Sequence, residues 1–278
     1  MTNRLPIIDT ITYGFKTLFA HFVLFLKLVA VMFAVVVVFG GIAFVSLTPS
    51  FFGALSHVHE QLKDVPYEAR VGSEAGKLFI ALIYGHGTIL LTNLLIWIAA
   101  SAVIFTGYIR FMLNVHDTGT ARARELIIPS WSALRVIGAF VLVWLTIIMG
   151  AVAIGLLGLL IEVALGSMTS SPLWGFLRWA NIGISGAAVV CMGIFLYVRM
   201  GFAWWAVVDK GLGPIAGIKH SFAITRGAFW RIVLLKMLIV LVGSVVKITI
   251  IGMFFVGPLM GLWYVYAYRS LEKTAPAL

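Results

Sequence analysis

Charged residues are scarce in this chain. Only 11% of its 278 residues are Asp, Glu, Lys or Arg, whereas 62% are apolar. A water-soluble domain carries roughly 25% charged residues, most of them on its surface. The chain therefore has too few charges to cover a soluble fold, and its composition assigns it to a lipid bilayer.

Acidic residues and cysteine are rarer still. Asp and Glu number 10 against 20 Lys and Arg, which gives a formal net charge of +10. The one cysteine, Cys191, excludes a disulfide or a cysteine-based zinc site within the chain. No nucleic-acid-binding fold is compatible with this hydropathy, so the basic excess predicts contact with anionic lipid headgroups.

Long uncharged runs predict the fold. A bilayer core of about 30 Å is crossed by about 20 helical residues. We therefore predict an all-α integral membrane protein with six transmembrane helices, one membrane domain over residues 1–278. The spans are expected near residues 22–47, 80–105, 136–161, 181–199, 229–247 and 249–268, with an extracytoplasmic loop at 48–77.

The distribution of Lys and Arg predicts the orientation. Most of them lie between alternate spans and at the two ends of the chain. Because basic loops stay cytoplasmic, we expect both termini in the cytoplasm and the protein in the inner (plasma) membrane. The residues predicted to meet headgroups on that side are Lys16, Arg110, Arg199, Lys219, Arg226, Arg231 and Arg269.

Two segments of the chain match at an offset of 207 residues. Residues 7–22 align on 214–229, and the pairs Ile8/Ile215, Ile11/Ile218, Phe15/Phe222 and Phe22/Phe229 are identical. Their spacing of 3, 4 and 7 predicts one apolar face on an amphipathic helix, with polar residues opposite. A fainter third copy begins at Pro129. We therefore predict three repeats, at about 6–119, 126–211 and 212–272, each a surface helix followed by two spans.

The segment 208–217, VDKGLGPIAG, resembles a loop that binds nucleotide phosphates. Its spacing is G-x-G-x-x-x-G, however, and no acidic residue lies between Asp209 and Glu272. A dinucleotide loop needs G-x-G-x-x-G and an acidic residue about 20 positions later. The repeat explains the glycines and Pro214 as the exit of a span and the start of a surface helix, so we expect no cofactor here.

The stretch YVRMGFAWWAVVDKGLGPIAGIKHSFAITRGAFWRIVLL, residues 197–235, resembles a recurrent segment of bacterial multi-pass membrane proteins. These are the YciC-like proteins and the membrane domain attached to some glycerophosphodiester phosphodiesterases. The matching positions are Arg199, Asp209, Gly213, Pro214, Ser221, Phe222, Thr225, Arg226, Gly227, Phe229 and Trp230, and the segment ending in Asp117-Thr118-Gly119 is a looser match. The resemblance implies a six-helix membrane domain. It does not imply phosphodiesterase activity, which belongs to a separate soluble barrel.

Several polar groups lie in or beside the predicted spans. His86 and Asn93 share a helix face in the second span, where they line a cavity or bond to another helix. Glu162 and Lys247 both fall near the outer boundary and are predicted to pair. Lys27 and Lys236 are expected to extend their side chains to the membrane edge. In the loop, His57, His59 and Glu60 are a weak candidate for a metal site, because no third firm ligand accompanies the histidines.

No catalytic motif is visible in the sequence, and we predict no enzyme activity. The hypotheses are a non-catalytic scaffold or accessory subunit for membrane proteins or lipids, and a transporter, channel or exporter of a small or lipid-like substrate. A membrane enzyme is the third class, which carboxylates or histidines converging at the cytoplasmic rim would favour. Internal repeats are common in transporters, whereas surface helices and the absence of a carboxylate within a span favour the scaffold.

Overall fold

The computed structural model describes residues 6–62, 74–122, 126, 131–166 and 172–274. These residues form α-helices joined by short turns, with no strand among them. In chain order the helices are α1 (Ile7–Ala20), α2 (Phe22–Leu62), α3 (Glu74–Thr118), α4 (Trp131–Gly166), α5 (Pro172–Met200), α6 (Ala203–Lys210), α7 (Pro214–Ile224), α8 (Phe229–Lys247) and α9 (Ile250–Thr274).

Among the residues that the structure describes, five helical segments are long and apolar enough to cross a bilayer: Phe22–Ser46, Leu91–Thr118, Trp131–Ala164, Gly175–Lys210 and Phe229–Lys247. The chain is an all-α membrane protein, as its composition predicts. The sixth predicted span, at 249–268, is helical as part of α9 but is not one of these five. The six-span count therefore stays a prediction.

The predicted outer loop is mostly helical. α2 continues to Leu62 and α3 starts at Glu74, so only residues 63–73 of the segment 48–77 lie outside the described chain. At 41 residues, α2 is about 60 Å long, roughly twice the thickness of a hydrocarbon core.

The chain divides into two compact units, Met1–Phe25 with Phe105–Leu278, and Leu26–Ile104. The smaller unit is a hairpin of α2 and α3, in which Ser46 Oγ lies 3.1 Å from Asn93 Oδ1. Its large apolar side chains are mostly exposed, as in Phe44 at 72%, which suits a hairpin surrounded by lipid. The division does not follow the boundaries of the predicted repeats.

The first and third repeats bury the same positions of their surface helices. The buried pairs are Thr10/Gly217, Gly14/Ser221, Thr17/Ile224 and Leu18/Thr225, and all are 207 residues apart. The two surface helices thus share a burial pattern, and the repeat itself stays a prediction. Ile8 and Ile215, on the predicted apolar face, are 80% and 62% exposed, and mainly small or polar residues face the protein.

The second repeat lacks a separate surface helix within the described residues. Pro129 lies outside them, and residues 131–166 form one continuous helix, α4. The predicted surface helix of this repeat is therefore merged with the span that follows it.

Each surface helix packs on the last helix of another repeat. α7 lies against α6, where a β-carbon on Gly217 would meet Val207 and the carbonyl of Ala203. α1 lies against α9, where the Trp263 indole N–H donates to the Ile11 carbonyl at 3.2 Å. Gly14 permits this approach, since a β-carbon there would overlap the indole ring.

We predict that Gly14→Val lowers the free energy of unfolding by about 1–3 kcal/mol, because overfilling a packed contact forces helices apart. The measurement is unfolding of the purified protein in mixed micelles. Gly186→Val is the matched control, since Gly186 has open space where its β-carbon would lie. An equal loss in the two variants would contradict the role given to the Gly14 contact.

Candidate functional site

Three helices end at one cluster of charged side chains. Asp117 lies at the end of α3, Asp209 at the end of α6, and Arg269 with Glu272 near the end of α9. The first two helices stop in the same way, in Asp-x-Gly, with Gly119 at φ 71° and Gly211 at φ 64°. A glycine adopts this left-handed conformation without strain and ends a helix sharply.

The guanidinium of Arg269 joins the three helix ends. Its Nη1 and Nη2 donate to the two carboxylate oxygens of Asp209 at 2.8 and 2.9 Å. Nε donates to Asp117 Oδ1 at 3.2 Å, and Nη2 also donates to Asp117 Oδ2. A fifth bond runs from Nη1 to Glu272 at 3.0 Å. A guanidinium has five N–H donors, so its donor capacity is fully used.

Each of the three carboxylates has a second donor. His116 Nδ1 lies 3.0 Å from Asp117 Oδ1, the Tyr268 hydroxyl donates to Asp209 at 3.0 Å, and the Lys210 ammonium pairs with Glu272. We call Asp117, Asp209, Lys210, Arg269 and Glu272 the Arg269 cluster. All six of its carboxylate oxygens are hydrogen-bonded.

The cluster is half-shielded from solvent, and the side chain of Arg269 is 19% exposed. Burial alone would raise the pKa of Glu272, but hydrogen bonds from Lys210 and Arg269 outweigh it and hold the pKa below its ordinary value. Burial would lower the pKa of Arg269, yet its bonds to the carboxylates raise it. The charges therefore stabilise one another in their ionised forms.

The arginines that end the earlier spans bind within the protein too. Arg110 donates to Ser132 Oγ at 2.7 Å, and Arg199 donates to Thr225 Oγ1 at 3.2 Å. Ser221 donates to the Arg199 carbonyl at 2.6 Å. The serine pair Ser132/Ser221 and the arginine pair Arg110/Arg199 are both 89 residues apart. Arg110, Arg199 and Arg269 therefore donate hydrogen bonds to protein acceptors, and their contact with headgroups stays a prediction.

The other predicted headgroup residues are more accessible. Lys16, Lys219 and Arg226 are exposed, and Arg231 is half-exposed. Lys27 is also exposed, but Lys236 is only 9% exposed. The Lys236 ammonium contacts protein atoms: it lies 3.7 Å from the centre of the Tyr197 ring and donates to the Tyr197 carbonyl at 3.1 Å.

The predicted pair of Glu162 and Lys247 is not the one that forms. Glu162 pairs with Arg178 at 2.6 Å, because Arg178 is on α5, the other arm of the α4–α5 hairpin. Among the described side chains no ion pair reaches Lys247.

Two further predicted sites fall partly outside the described side chains. Asn93 contacts Ser46 on the neighbouring helix, as the helix-packing alternative expects, whereas the side chain of His86 is not described. Those of His57 and His59 are not described either, and Glu60 is exposed. Within the described part of the chain, no group of three or more His, Cys, Asp or Glu side chains is placed to hold a metal ion.

Sequence reasoning did not identify the cluster as a site. Asp209 and Asp117 entered only through the family resemblance, and Arg269 was interpreted as a headgroup contact. The repeated Asp-x-Gly ending, at 117–119 and 209–211, is the signal that could have found it, since equivalent carboxylates in two repeats imply a shared partner.

The cluster can fix the relative positions of three helix ends, but it leaves no carboxylate oxygen without a donor. The cluster is a structural ion-pair network, and the protein that contains it is a multi-pass, all-α membrane protein. Comparison with protein-family models, with curated proteins and with solved structures finds no match.

We predict that Arg269→Gln lowers the free energy of unfolding by about 2–3 kcal/mol, because three carboxylates would then face one another with only Lys210 to neutralise them. Unfolding in mixed micelles measures the loss. Arg178→Gln is the control: Arg178 is 60% exposed, and its loss should cost less than about 1 kcal/mol. If the two variants lost the same stability, the cluster would not be the main tie between the helices.

Acid should weaken the cluster. A carboxyl whose pKa is lowered in the folded state contributes stability that is present above its unfolded pKa, 4.5 for Glu272, and is lost as pH falls through the folded pKa. We therefore expect Glu272→Gln to be less stable at neutral pH and to lose less stability on acidification. Unfolding measured across acidic pH checks this, with Glu60→Gln, at an exposed carboxylate of α2, as control; parallel curves for Glu272→Gln and the unmodified protein would contradict it.

Proposed function

We propose that this protein is a non-catalytic scaffold or accessory subunit of the bacterial inner membrane, which binds lipids or other membrane proteins through its surface helices. The proposal includes both termini in the cytoplasm, on the side of the Arg269 cluster, as the distribution of Lys and Arg predicts. Kinship with the YciC-like proteins is part of the same proposal and is supported by the sequence resemblance.

The observation that carries the proposal is the exposed surface of the helices around the cluster. α1 exposes Ile8 and Phe19, at 80% and 71%, and α7 exposes Ile215 at 62%. Trp131 is the first residue of α4 and is 80% exposed, and Trp230 lies in the first turn of α8 and is 78% exposed. Bulky apolar and aromatic side chains in such positions suit the boundary between headgroups and acyl chains.

Basic side chains accompany this apolar surface. Lys16 of α1 and Lys219 of α7 are exposed and enter no ion pair among the described residues. Each Lys or Arg near an anionic membrane surface contributes about 1 kcal/mol of attraction. The combination supports binding to a leaflet with anionic lipids.

The transporter alternative receives less support. A solute pathway through α2 and α3 would use polar groups such as Asn93, but Asn93 contacts Ser46 of the neighbouring helix. A side chain bonded in this way contributes to helix packing.

The experiment uses the full chain in nanodiscs with or without phosphatidylglycerol in a phosphatidylcholine bilayer. Hydrogen exchange of α1 and α7 is compared in the two. We expect slower exchange with the anionic lipid, and no such difference in the double variant Lys16→Glu, Lys219→Glu, because the attraction is then reversed.

Lys247→Glu serves as the matched control, since Lys247 is exposed at the opposite end of α8 from these helices. It should retain the lipid effect. Two results would contradict a scaffold role. One is hydrogen exchange of α1 and α7 in the unmodified protein that does not change with anionic lipid, and the other is solute flux through the protein in sealed vesicles.

A further inference from the structure

His220 lies on α7 with one ring nitrogen unsatisfied. Its Nε2 is buried and has no hydrogen-bond partner among the described residues. The ring lies within electrostatic reach of Lys210, Glu272 and Asp209. It therefore borders the Arg269 cluster from the side of α7.

The carboxylates near His220 have no oxygen left without a donor. Asp209 is bound by Arg269 and Tyr268, and Glu272 is bound by Arg269 and Lys210. Other cations on neighbouring helices are also engaged, Arg135 of α4 with the Gly211 carbonyl and Arg199 of α5 with Thr225. A protonated His220 would be repelled by the Lys210 ammonium, and every oxygen of the neighbouring carboxylates already has a hydrogen-bond donor.

The first repeat has tyrosine at the equivalent position. Tyr13 lies 207 residues before His220, on the matching face of α1, and stacks on Tyr266 with ring centres 4.8 Å apart. Burial raises the pKa of Tyr13, so this position does not gain or lose a proton between about pH 5 and pH 8. The equivalent positions of α1 and α7 are therefore occupied by different side chains, Tyr13 and His220, and only the histidine is of a type that gains a proton between about pH 5 and pH 8.

We propose that His220 makes the packing of α7 against α6 and the Arg269 cluster dependent on pH, so that α7 is released on mild acidification while α1 stays in place. This device is distinct from the proposed scaffold function and does not require it.

The direction follows from proton linkage. Burial and then Lys210 lower the pKa of His220 from its ordinary 6.5, against the opposite influence of Glu272 and Asp209. A released α7 binds the proton more readily than a packed one, so packing loses stability as pH falls below about 6.5. Uptake of one proton changes the opening equilibrium by at most about tenfold per pH unit.

The test is hydrogen exchange of the full chain in phosphatidylcholine nanodiscs at about pH 7.5 and pH 5.5, with rates corrected for the intrinsic pH dependence of exchange. We expect the protection of α7 to fall up to about tenfold per pH unit at the lower pH and that of α1 to stay constant. α1 is an internal control for general acid destabilisation, and His116→Gln removes the histidine ring that lies 5.3 Å from the Tyr13 ring of α1.

His220→Tyr installs the residue of the sister helix and should abolish the pH effect while α7 stays protected. His220→Gln, a second neutral side chain, should do the same and covers the case in which the tyrosine variant does not fold. Equal protection of α7 at both pH values, or a pH effect that persists in either folded variant, would overturn the proposal.

Discussion

The five N–H donors of Arg269 all meet carboxylates, and these carboxylates come from three different helices. A guanidinium keeps its proton at any physiological pH. Its N–H groups lie in one plane, so the carboxylates that accept from them must approach in that plane. The ends of α3, α6 and α9 must therefore meet at fixed angles. The Asp-x-Gly endings satisfy this requirement, since each stops a helix immediately after the carboxylate that Arg269 needs.

The surface helices depend on the same arrangement. α7 packs on α6 and α1 packs on α9, and both bury small or polar residues at equivalent positions. Arg110 and Arg199 fasten their helices to the segment that follows, whereas Arg269 fastens one helix to two others. A single motif, a basic residue at the end of a span, thus has two uses in one chain.

The sequence is sufficient to predict the class and the start of most helices, because apolar runs and Pro6 or Pro214 are local signals. It could not predict the rotation of α1 and α7 about their axes. In a soluble protein the apolar face of a helix is the buried one. Beside a bilayer, apolar side chains such as Ile8 can contact lipid, whereas small residues such as Gly14 allow two helices to pack closely. The pairs Glu162–Arg178 and Arg269–Asp209 were equally hidden, since both depend on which helices are neighbours.

The contact between α1 and α9 joins residues 252 positions apart, Ile11 and Trp263. During synthesis α1 leaves the ribosome first, and its docking surface exists only once α9 has been inserted. Until then nothing of its own chain can cover Gly14 and Thr17. Ile8 and Phe19 are exposed on α1 and suit a lipid boundary during this interval, so the contact between α1 and α9 forms only after the intervening helices have been made.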